Sequence, residues 1–178
     1  GDGNNDLAER NIISGNSRGI DIRAYDTLIG GNFIGTDVSG SFAVPNRTEG
    51  IIVSASGTVL IGTNGDGVAD EIERNIVSGN NNGVRMIQNS GGVIAGNFIG
   101  TDVTGTQLIA NTSTGISFEF SSTPLLIGTD ADGVADEAER NIIVGGIGTN
   151  GASNMVVAGN YLGTDVSGTV ALGPATVI

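Results

Sequence analysis

The sequence has no cysteine and no histidine, and these two absences exclude several kinds of active site. Catalytic arrangements of the Ser/His/Asp and Cys/His types cannot be built without them. Zinc sites lose their preferred sulfur and nitrogen ligands for the same reason, and no disulfide can form. We therefore expect neither a nucleophilic hydrolase of these classes nor a zinc centre.

Positive charge is also scarce, because lysine is absent and all seven basic residues are arginines. Nineteen acidic residues give a formal net charge of −12. Proteins that bind nucleic acids or anionic membranes need a basic surface that attracts phosphate groups, so the composition argues against both partners. A chain with this charge attracts cations instead.

Aromatic residues make up only 4% of the chain, and every apolar run is too short to span a membrane. Sugar-binding clefts usually depend on exposed aromatic rings, so we expect few stacking surfaces for carbohydrate. A transmembrane helix needs about 20 consecutive apolar residues, and we therefore expect no membrane insertion.

Glycine is abundant, with 31 residues, and 38% of the chain is hydrophobic. The apolar fraction argues against disorder, and the glycines do not follow the three-residue period of collagen. The length suits a single domain that comprises residues 1–178 and is large enough to bury a core.

The clearest feature of the sequence is a long internal repeat. The stretch 60–80, LIGTNGDGVADEIERNIVSGN, returns at 126–146 as LIGTDADGVADEAERNIIVGG, and a shortened copy opens the chain at 1–16. Self-similarity of this kind is typical of repeat architectures. A finer period of about 32 residues is marked by a glycine before an apolar residue. These glycines are Gly19, Gly50, Gly83, Gly115 and Gly146.

Each period holds three short apolar runs, rich in β-branched residues and ended by Gly, Asn or Asp. No window shows the 3.6-residue apolar stripe of a helix, so the runs indicate strands. We predict an all-β parallel solenoid with about five and a half coils of roughly 32 residues and three short strands per coil. One buried column should consist of Ile20, Ile51, Val84, Ile116 and Ile147.

Aligning the periods also aligns polar residues at the turns. After the second run the aligned residues are Asn32, Asn64, Asn97, Asp130 and Asn160. After the third run they are Asn16, Asp37, Asn80, Asp102, Gly146 and Asp165. Stacked side-chain amides can hydrogen-bond along a solenoid and satisfy buried backbone groups, so we predict an asparagine ladder in the first column.

Three strands per coil, Gly-Ile strand starts and an Asn at a fixed turn resemble the right-handed parallel β-helix of the pectin-lyase-like proteins. The double repeat, with GNFIGTDVSG followed by DGVADEIERNIVSGN, is similar to repeats of large secreted or cell-surface proteins of bacteria. The resemblance implies right-handed coils. It does not select a function, because this fold carries lyases, hydrolases, adhesins and inert stalks.

An enzyme of this fold would need residues that the chain does not supply. The polygalacturonase-like branch combines aspartates with a histidine and a lysine, and both bases are absent. The pectate-lyase-like branch combines calcium-binding acids with a basic residue, but Arg23, Arg47 and Arg85 do not align beside acidic clusters. Carboxylate pairs for glycoside hydrolysis could come from the repeated aspartates, yet equal members of a repeat are more often architectural. We expect no catalytic residues.

The acidic loop of the long repeat is the only motif with evident chemistry. Oxygen-bearing side chains stand at loop positions 1, 3, 7 and 10, and a glycine at position 4 allows a sharp turn, as in calcium-binding loops. The predicted calcium ligands are Asn64, Asp66, Asp70, Glu73, Asp130, Asp132, Asp136 and Glu139. An alternative is a solvated turn whose last glutamate pairs with Arg74 or Arg140. The shortened N-terminal copy (Asp2, Asp6, Glu9) lacks its first ligand, and we predict no site there.

Two further features concern the surface. The acidic loop separates the second and third strands in one kind of coil, and a different insertion follows the third strand in the other kind. These insertions are 38–49, 103–114 and 166–177. We therefore expect two decorated edges. The arginine after each acidic loop (Arg10, Arg74, Arg140) either grips a carboxylated sugar or packs across coils, and we favour packing.

Two functions from different classes are compatible with these features. The first is a structural and adhesive segment of an extracellular surface protein, stalk or fibre, with acidic loops that bind calcium. The second is a carbohydrate-binding or carbohydrate-cleaving module with a groove along the helix. Bare solenoid ends invite further stacking, so we expect a segment of a longer β-helix or a subunit that stacks end to end with itself.

Overall fold

The structure is a computed structural model that describes residues 6–24, 26–54, 57–87, 90–120, 122–151 and 153–174. Within these residues the chain is all β, apart from one 3-10 turn at Asp6–Glu9. The strands wind into a parallel solenoid, which confirms the predicted fold class. No helix in the described part of the chain is long and apolar enough to cross a membrane.

Sixteen strands of two to six residues are present in the described residues. They are β1 (Ile12–Ile13), β2 (Ile20–Ile22), β3 (Thr27–Ile29), β4 (Phe33–Ile34), β5 (Glu49–Val53), β6 (Thr58–Gly62), β7 (Ile76–Val77), β8 (Asn82–Ile87), β9 (Gly91–Ala95), β10 (Phe98–Ile99), β11 (Thr114–Glu119), β12 (Leu125–Gly128), β13 (Ile142–Ile143), β14 (Ile147–Asn150), β15 (Met155–Ala158) and β16 (Tyr161–Leu162).

The strands form three parallel sheets, and each complete coil contributes one strand to each sheet. Sheet 1 has the order β2-β5-β8-β11-β14, sheet 2 the order β3-β6-β9-β12-β15, and sheet 3 the order β1-β4-β7-β10-β13-β16. The described residues thus form five complete coils and one additional strand, slightly fewer coils than predicted. Each five-stranded sheet spans four coil-to-coil steps. Right-handed winding, the general rule for parallel crossovers, remains a prediction.

The core consists of the inward-facing residues of the three sheets. The predicted column in sheet 1 is confirmed, because its members pair in register. Ile51, Val84, Ile116 and Ile147 are at most 1% exposed, and Ile20 is half-buried. Burying one such side chain contributes about 1.5–3 kcal/mol. Each coil therefore adds one layer to a continuous core.

An asparagine ladder runs along the solenoid at the turn between sheets 2 and 3. Each Nδ2 donates to the Oδ1 of the next asparagine at 2.8–3.2 Å. The members are Asn11, Asn32, Asn75, Asn97, Asn141 and Asn160. The prediction is wrong for Asn64 and Asp130, whose places are taken by Asn75 and Asn141. The acidic loop leaves the stack at the predicted residue, so the turn is completed by the asparagine that follows the loop.

A second ladder lies at the turn from sheet 3 to sheet 1 of the next coil. Its Nδ2–Oδ1 distances are 3.0–3.3 Å, and its members are Asn16, Asn46, Asn80 and Asn111. Asp37, Asp102 and Asp165 are not members, because an insertion follows each of them. Asn46 and Asn111 re-enter the stack at the far ends of the first two insertions. In both ladders, therefore, an asparagine at or near the end of the inserted segment takes the ladder position.

The insertions that follow sheet 3 form one of the two predicted decorated edges. They stack across two coils, because the Val103 N–H donates to the Gly40 carbonyl at 2.9 Å. The Val166 N–H repeats this bond with Gly105 at 2.9 Å. A Cβ at Gly40 would lie only 2.9 Å from the Phe33 ring, so glycine allows the insertion to approach sheet 3 closely. The outer face of sheet 3 thereby gains a small hydrophobic cluster of its own.

The aspartates that open these insertions hold the turns in place. Asp37 Oδ1 accepts the N–H groups of Ser41 and Phe42 at 3.1 Å. The hydrogen bond from the Ser39 hydroxyl, together with those backbone bonds, lowers the pKa of Asp37 in spite of partial desolvation. Asp102 and Asp165 also accept hydrogen bonds from their own insertions. These repeated carboxylates therefore serve local architecture.

Candidate metal site in the acidic loops

Two acidic loops project from alternate coils between sheets 2 and 3, at residues 64–73 and 130–139. Each begins with two consecutive turns in which a side-chain oxygen accepts the backbone N–H two residues further on. Asp130 Oδ1 accepts from Asp132 at 3.1 Å, and Asp132 Oδ1 accepts from Val134 at 2.7 Å. Such turns follow from the local preference of Asp and Asn.

The second half of each loop returns the chain to the solenoid. Ala69 and Ala135 adopt left-handed backbone conformations, with φ of 61° and 53°. Their carbonyls accept the N–H groups of Glu73 and Glu139 at 3.2 and 3.0 Å. The left-handed region costs alanine about 1–2 kcal/mol, so the surrounding contacts must maintain this turn. The turn places each glutamate against the start of its loop.

Three carboxylates meet where the two halves of the 130–139 loop converge. One carboxylate oxygen from each of Asp130, Asp136 and Glu139 lies within 4.8 Å of the others. The Thr129 hydroxyl orients Asp136 at 2.9 Å, and the Asp130 N–H orients Glu139 at 3.2 Å. Glu139 is only 8% exposed. Hard cations such as calcium prefer oxygen ligands, so this group could hold one.

The electrostatics of this group disfavour three unscreened negative charges. Burial raises the pKa of Glu139 above its ordinary value, and the charges of Asp130 and Asp136 raise it further. Hydrogen bonds from Thr129 and from the Asp130 N–H oppose this shift without cancelling it. A cation would favour the ionised form of Glu139, so cation binding and proton release are coupled at this position.

The 64–73 loop has the same framework with one fewer negative charge. Asn64 stands where Asp130 stands in the other loop, and its N–H donates to Glu73 at 2.9 Å. Thr63 donates to Asp70 at 2.5 Å. Asp70 and Glu73 are 7% and 3% exposed. This loop offers two buried carboxylates and one amide oxygen, a weaker ligand set for a divalent cation.

Asp66 and Asp132, which were also predicted ligands, shape the outer turns of the loops. Asp132 is not among the three grouped carboxylates, and its Oδ1 accepts the Val134 N–H. Asp66 makes the equivalent bond, and both side chains are exposed. In the shortened N-terminal copy, Asp2 and the side chain of Asp6 lie outside the described residues.

The arginine after each acidic loop packs across coils, as predicted. Arg74 Nε donates to the Gly96 carbonyl at 2.9 Å, and its guanidinium carbon lies 4.1 Å from the centre of the Phe98 ring. The equivalent ring pairs are Arg10 with Phe33 and Arg140 with Tyr161. Burial lowers the pKa of Arg74, and the charge of Glu71 partly opposes this shift. Cation–π contacts of this kind contribute about 0.5–2 kcal/mol each.

The aromatic partners of these arginines were missed in the sequence. A pattern in the sequence does mark them. In every second coil the third apolar run begins with an aromatic residue, and each of these coils follows a coil that contains Glu-Arg-Asn. Phe33 and Phe98 are 2% and 3% exposed. These two rings are therefore covered by guanidinium groups and insertions, which removes them as stacking surfaces for sugars.

A shallow groove of about 680 Å³ separates the two acidic loops. Its acidic lining residues are Asp70, Glu71, Asp136 and Glu137. The loops also approach each other directly, because a Cβ added at Gly65 would collide with the carboxylate of Glu139. Glu139 thus links the candidate site of one loop to the backbone of the other loop.

No protein-family model matches the chain, and comparisons with curated proteins and with solved structures found no similar protein.

Proposed function

We propose that this chain is a structural and adhesive segment of an extracellular surface protein, stalk or fibre of bacteria, stabilised by calcium. The observation that carries the proposal is the asparagine ladder, which repeats the same hydrogen bonds from Asn11 to Asn160. Units that bond only to their neighbours along one axis can extend a rod, as a stalk or fibre requires. In this proposal the natural partner is another β-helical segment stacked end to end.

The calcium part of the proposal rests on the 130–139 loop. Asp130, Asp136 and Glu139 would supply charged ligands, and Asp132, backbone carbonyls and water would complete the six to eight oxygens that calcium prefers. The 64–73 loop would bind more weakly, through Asn64 and its neighbours Asp66, Asp70 and Glu73. Extracellular calcium modules typically have dissociation constants of about 10⁻⁴–10⁻³ M, which suits a protein outside the cell.

The carbohydrate-module alternative has less support. Among the aromatic side chains of the described residues, Phe42 and Phe120 are the exposed ones, at 72% and 67%. They lie on different edges, Phe42 in an insertion after sheet 3 and Phe120 directly after β11 of sheet 1. The repeated aspartates Asp37 and Asp102 are engaged in their own turns. A sugar-binding cleft usually combines stacking rings with free polar groups. Here the two exposed rings lie far apart in the fold, and the repeated aspartates are already hydrogen-bonded.

A calcium titration of the protein, followed by thermal unfolding, tests the proposal. Where free calcium exceeds the dissociation constant 100-fold, the unfolding free energy should rise by about 2.7 kcal/mol per site. Asp136→Asn should lose most of this gain, because it removes one of three grouped carboxylates. Glu137→Gln, an exposed neighbour outside the group, is the matched control and should keep the gain. A melting temperature that does not change between saturating calcium and chelator would rule out the calcium site.

A further inference from the structure

The outer faces of the three sheets differ in the residues that they present. Sheet 3 is covered by the stacked insertions. Sheet 1 carries ion pairs: Glu49 binds Arg18 and Arg85 at 3.2 Å, and Arg85 also binds Glu119 at 3.0 Å. The strands of sheet 2 contain no charged residue, although the chain as a whole has a net charge of −12. Sheet 2 is thus the neutral side of an acidic protein.

An apolar stripe follows the outer face of sheet 2, with one branched aliphatic side chain from each coil. The stripe consists of Leu28, Leu60, Val93, Leu126 and Val156, which pair in register from strand to strand. Leu28 and Val156 are 57% and 56% exposed, and the other three are partly exposed. Each alternates with residues of the core, such as Ile29 and Ile61. In the sequence, the stripe is marked by two adjacent apolar residues in the second apolar run of each period, of which one faces the core and the other faces outward.

We propose that this sheet 2 stripe is the surface through which two copies of the chain pair side by side. The stripes of two copies have the same coil-to-coil spacing of about 4.8 Å, so every coil of one copy can meet a coil of the other without accumulating mismatch. Flat apolar sheets pack face to face at about 10 Å. Contact between two such stripes removes apolar surface from water, which favours association.

The distribution of charge along the edges of sheet 2 favours one arrangement of the two copies. The acidic loops 64–73 and 130–139 follow strands of sheet 2. In the sequence, the segments that precede strands β6, β9, β12 and β15 hold no charged residue, whereas the segment before β3 holds Arg23 and Asp26; the uncharged segments are 54–57, 88–90, 121–124 and 151–154. A two-fold axis parallel to the solenoid makes the strands of the two copies antiparallel. Each acidic loop of one copy then faces the edge of the other copy at an uncharged segment, before β6 or β12, which reduces like-charge repulsion.

The size of the stripe predicts weak pairing of a single chain. Four steps of about 4.8 Å and four residues of about 3.3 Å give a face of roughly 250 Å² per copy. Stable complexes bury about 800 Å² per partner. The 178-residue chain should therefore pair only at high concentration, and each additional coil should strengthen the contact.

Sedimentation equilibrium from about 10 μM to about 1 mM tests this proposal. The wild-type mass should rise towards that of a dimer, whereas Leu28→Lys/Val156→Lys should stay monomeric, with an apparent dissociation constant raised at least tenfold. Ser113→Lys/Ser117→Lys adds the same charge outside sheet 2 and should pair at least as well as the wild type. Leu60→Thr/Leu126→Thr is a second disruptive variant with side chains that favour strands, and circular dichroism establishes that each variant is folded.

Small-angle scattering on the same samples separates side-by-side pairing from end-to-end stacking. The longest sheet has six strands, and its five steps of about 4.8 Å make the solenoid only about 24 Å long, so pairing in either direction lengthens the particle. The measured scattering profile is therefore compared with the profiles calculated for a side-by-side dimer and for an end-to-end dimer. A wild type that remains monomeric at the highest concentration overturns the proposal. So does a dimer whose scattering profile matches end-to-end stacking, or a folded stripe variant that pairs as strongly as the Ser113→Lys/Ser117→Lys control.

Discussion

Glu139 combines burial, a raised pKa and contacts with both acidic loops in a single side chain. Its position follows from the left-handed turn at Ala135, which directs the glutamate back to the Asp130 N–H. The carboxylate is held by hydrogen bonds but lies near two other acids. A group in this state is sensitive to both protons and cations.

We predict that Glu139 makes the cation-free protein less stable as pH rises. Its folded-state pKa is raised above the unfolded value, so the stability it contributes is fully present below the unfolded pKa. That contribution is lost as pH rises through the raised folded pKa. Glu139→Gln cannot ionise, so the unfolding free energy of the variant minus that of the wild type should increase from about pH 4 to about pH 7. Urea unfolding in chelator measures this difference.

Asp37→Asn is the control for that experiment, because the pKa of Asp37 is lowered and its effect has the opposite sign. Asp37 contributes stability above its unfolded pKa and loses it as pH falls through the lowered folded pKa. A Glu139→Gln difference that is flat or falls with rising pH would show that burial does not govern this carboxylate.

At the scale of structural elements, the insertions and the ladders depend on each other. At both acidic loops and at the first two insertions, an asparagine returns the chain to the stack, as Asn75 does after the 64–73 loop and Asn46 does near the end of the first insertion. The ladder thus lets a coil carry a long loop without breaking the hydrogen bonds of its neighbours. Long surface loops are tolerated when the backbone at their bases remains satisfied.

We predict that Asn75→Ala destabilises the protein by roughly 2–4 kcal/mol. The substitution removes the acceptor of the Asn32 N–H and the donor to the Ile29 carbonyl, and each buried group left unpaired costs about 1–3 kcal/mol. Asn64→Ala is the matched control, because Asn64 is exposed and lies outside the ladder. We expect it to cost less than about 0.5 kcal/mol without calcium. Equal losses in chemical denaturation of the two variants would contradict the observed ladder.

The strands could be predicted from the sequence because apolar period and turn residues act locally and repeat in every coil. The ladder members could not, since Asn64 and Asn75 are equally good turn residues and only the path of the intervening loop selects Asn75. For the candidate site, Asp130, Asp136 and Glu139 follow from loop spacing. Asp132 belongs to the same spacing pattern, but the structure places it on the outer turn of the loop and outside the group, although Asp130 makes the same kind of turn. Long-range pairs such as the arginine–aromatic contacts appear only once the coils are stacked.

At the scale of the whole molecule, two coils rather than one form the unit by which the solenoid can change length. Each insertion contacts the next insertion of its own kind two coils away, as Val103 contacts Gly40. The same holds for the acidic loops, which lie in alternate coils and meet through Gly65 and Glu139. Adding or deleting one coil would place two coils of the same kind next to each other. Adding or deleting two coils keeps the two kinds in alternation and preserves every kind of contact.

We predict that deleting residues 50–114 leaves a more stable protein than deleting residues 50–82, although the first deletion is longer. The longer deletion joins Glu49 to Gly115, so one acidic-loop coil replaces another and the Gly40 carbonyl can accept the Val166 N–H in place of that of Val103. The shorter deletion stacks two coils of the same kind, and their insertions must then fit into about 4.8 Å instead of twice that spacing. Repeat proteins gain stability from each neighbouring interface, so a solenoid governed only by its number of coils would show the reverse order. Urea unfolding of the two deletion variants distinguishes these outcomes, and a more stable 50–82 deletion would refute the two-coil unit.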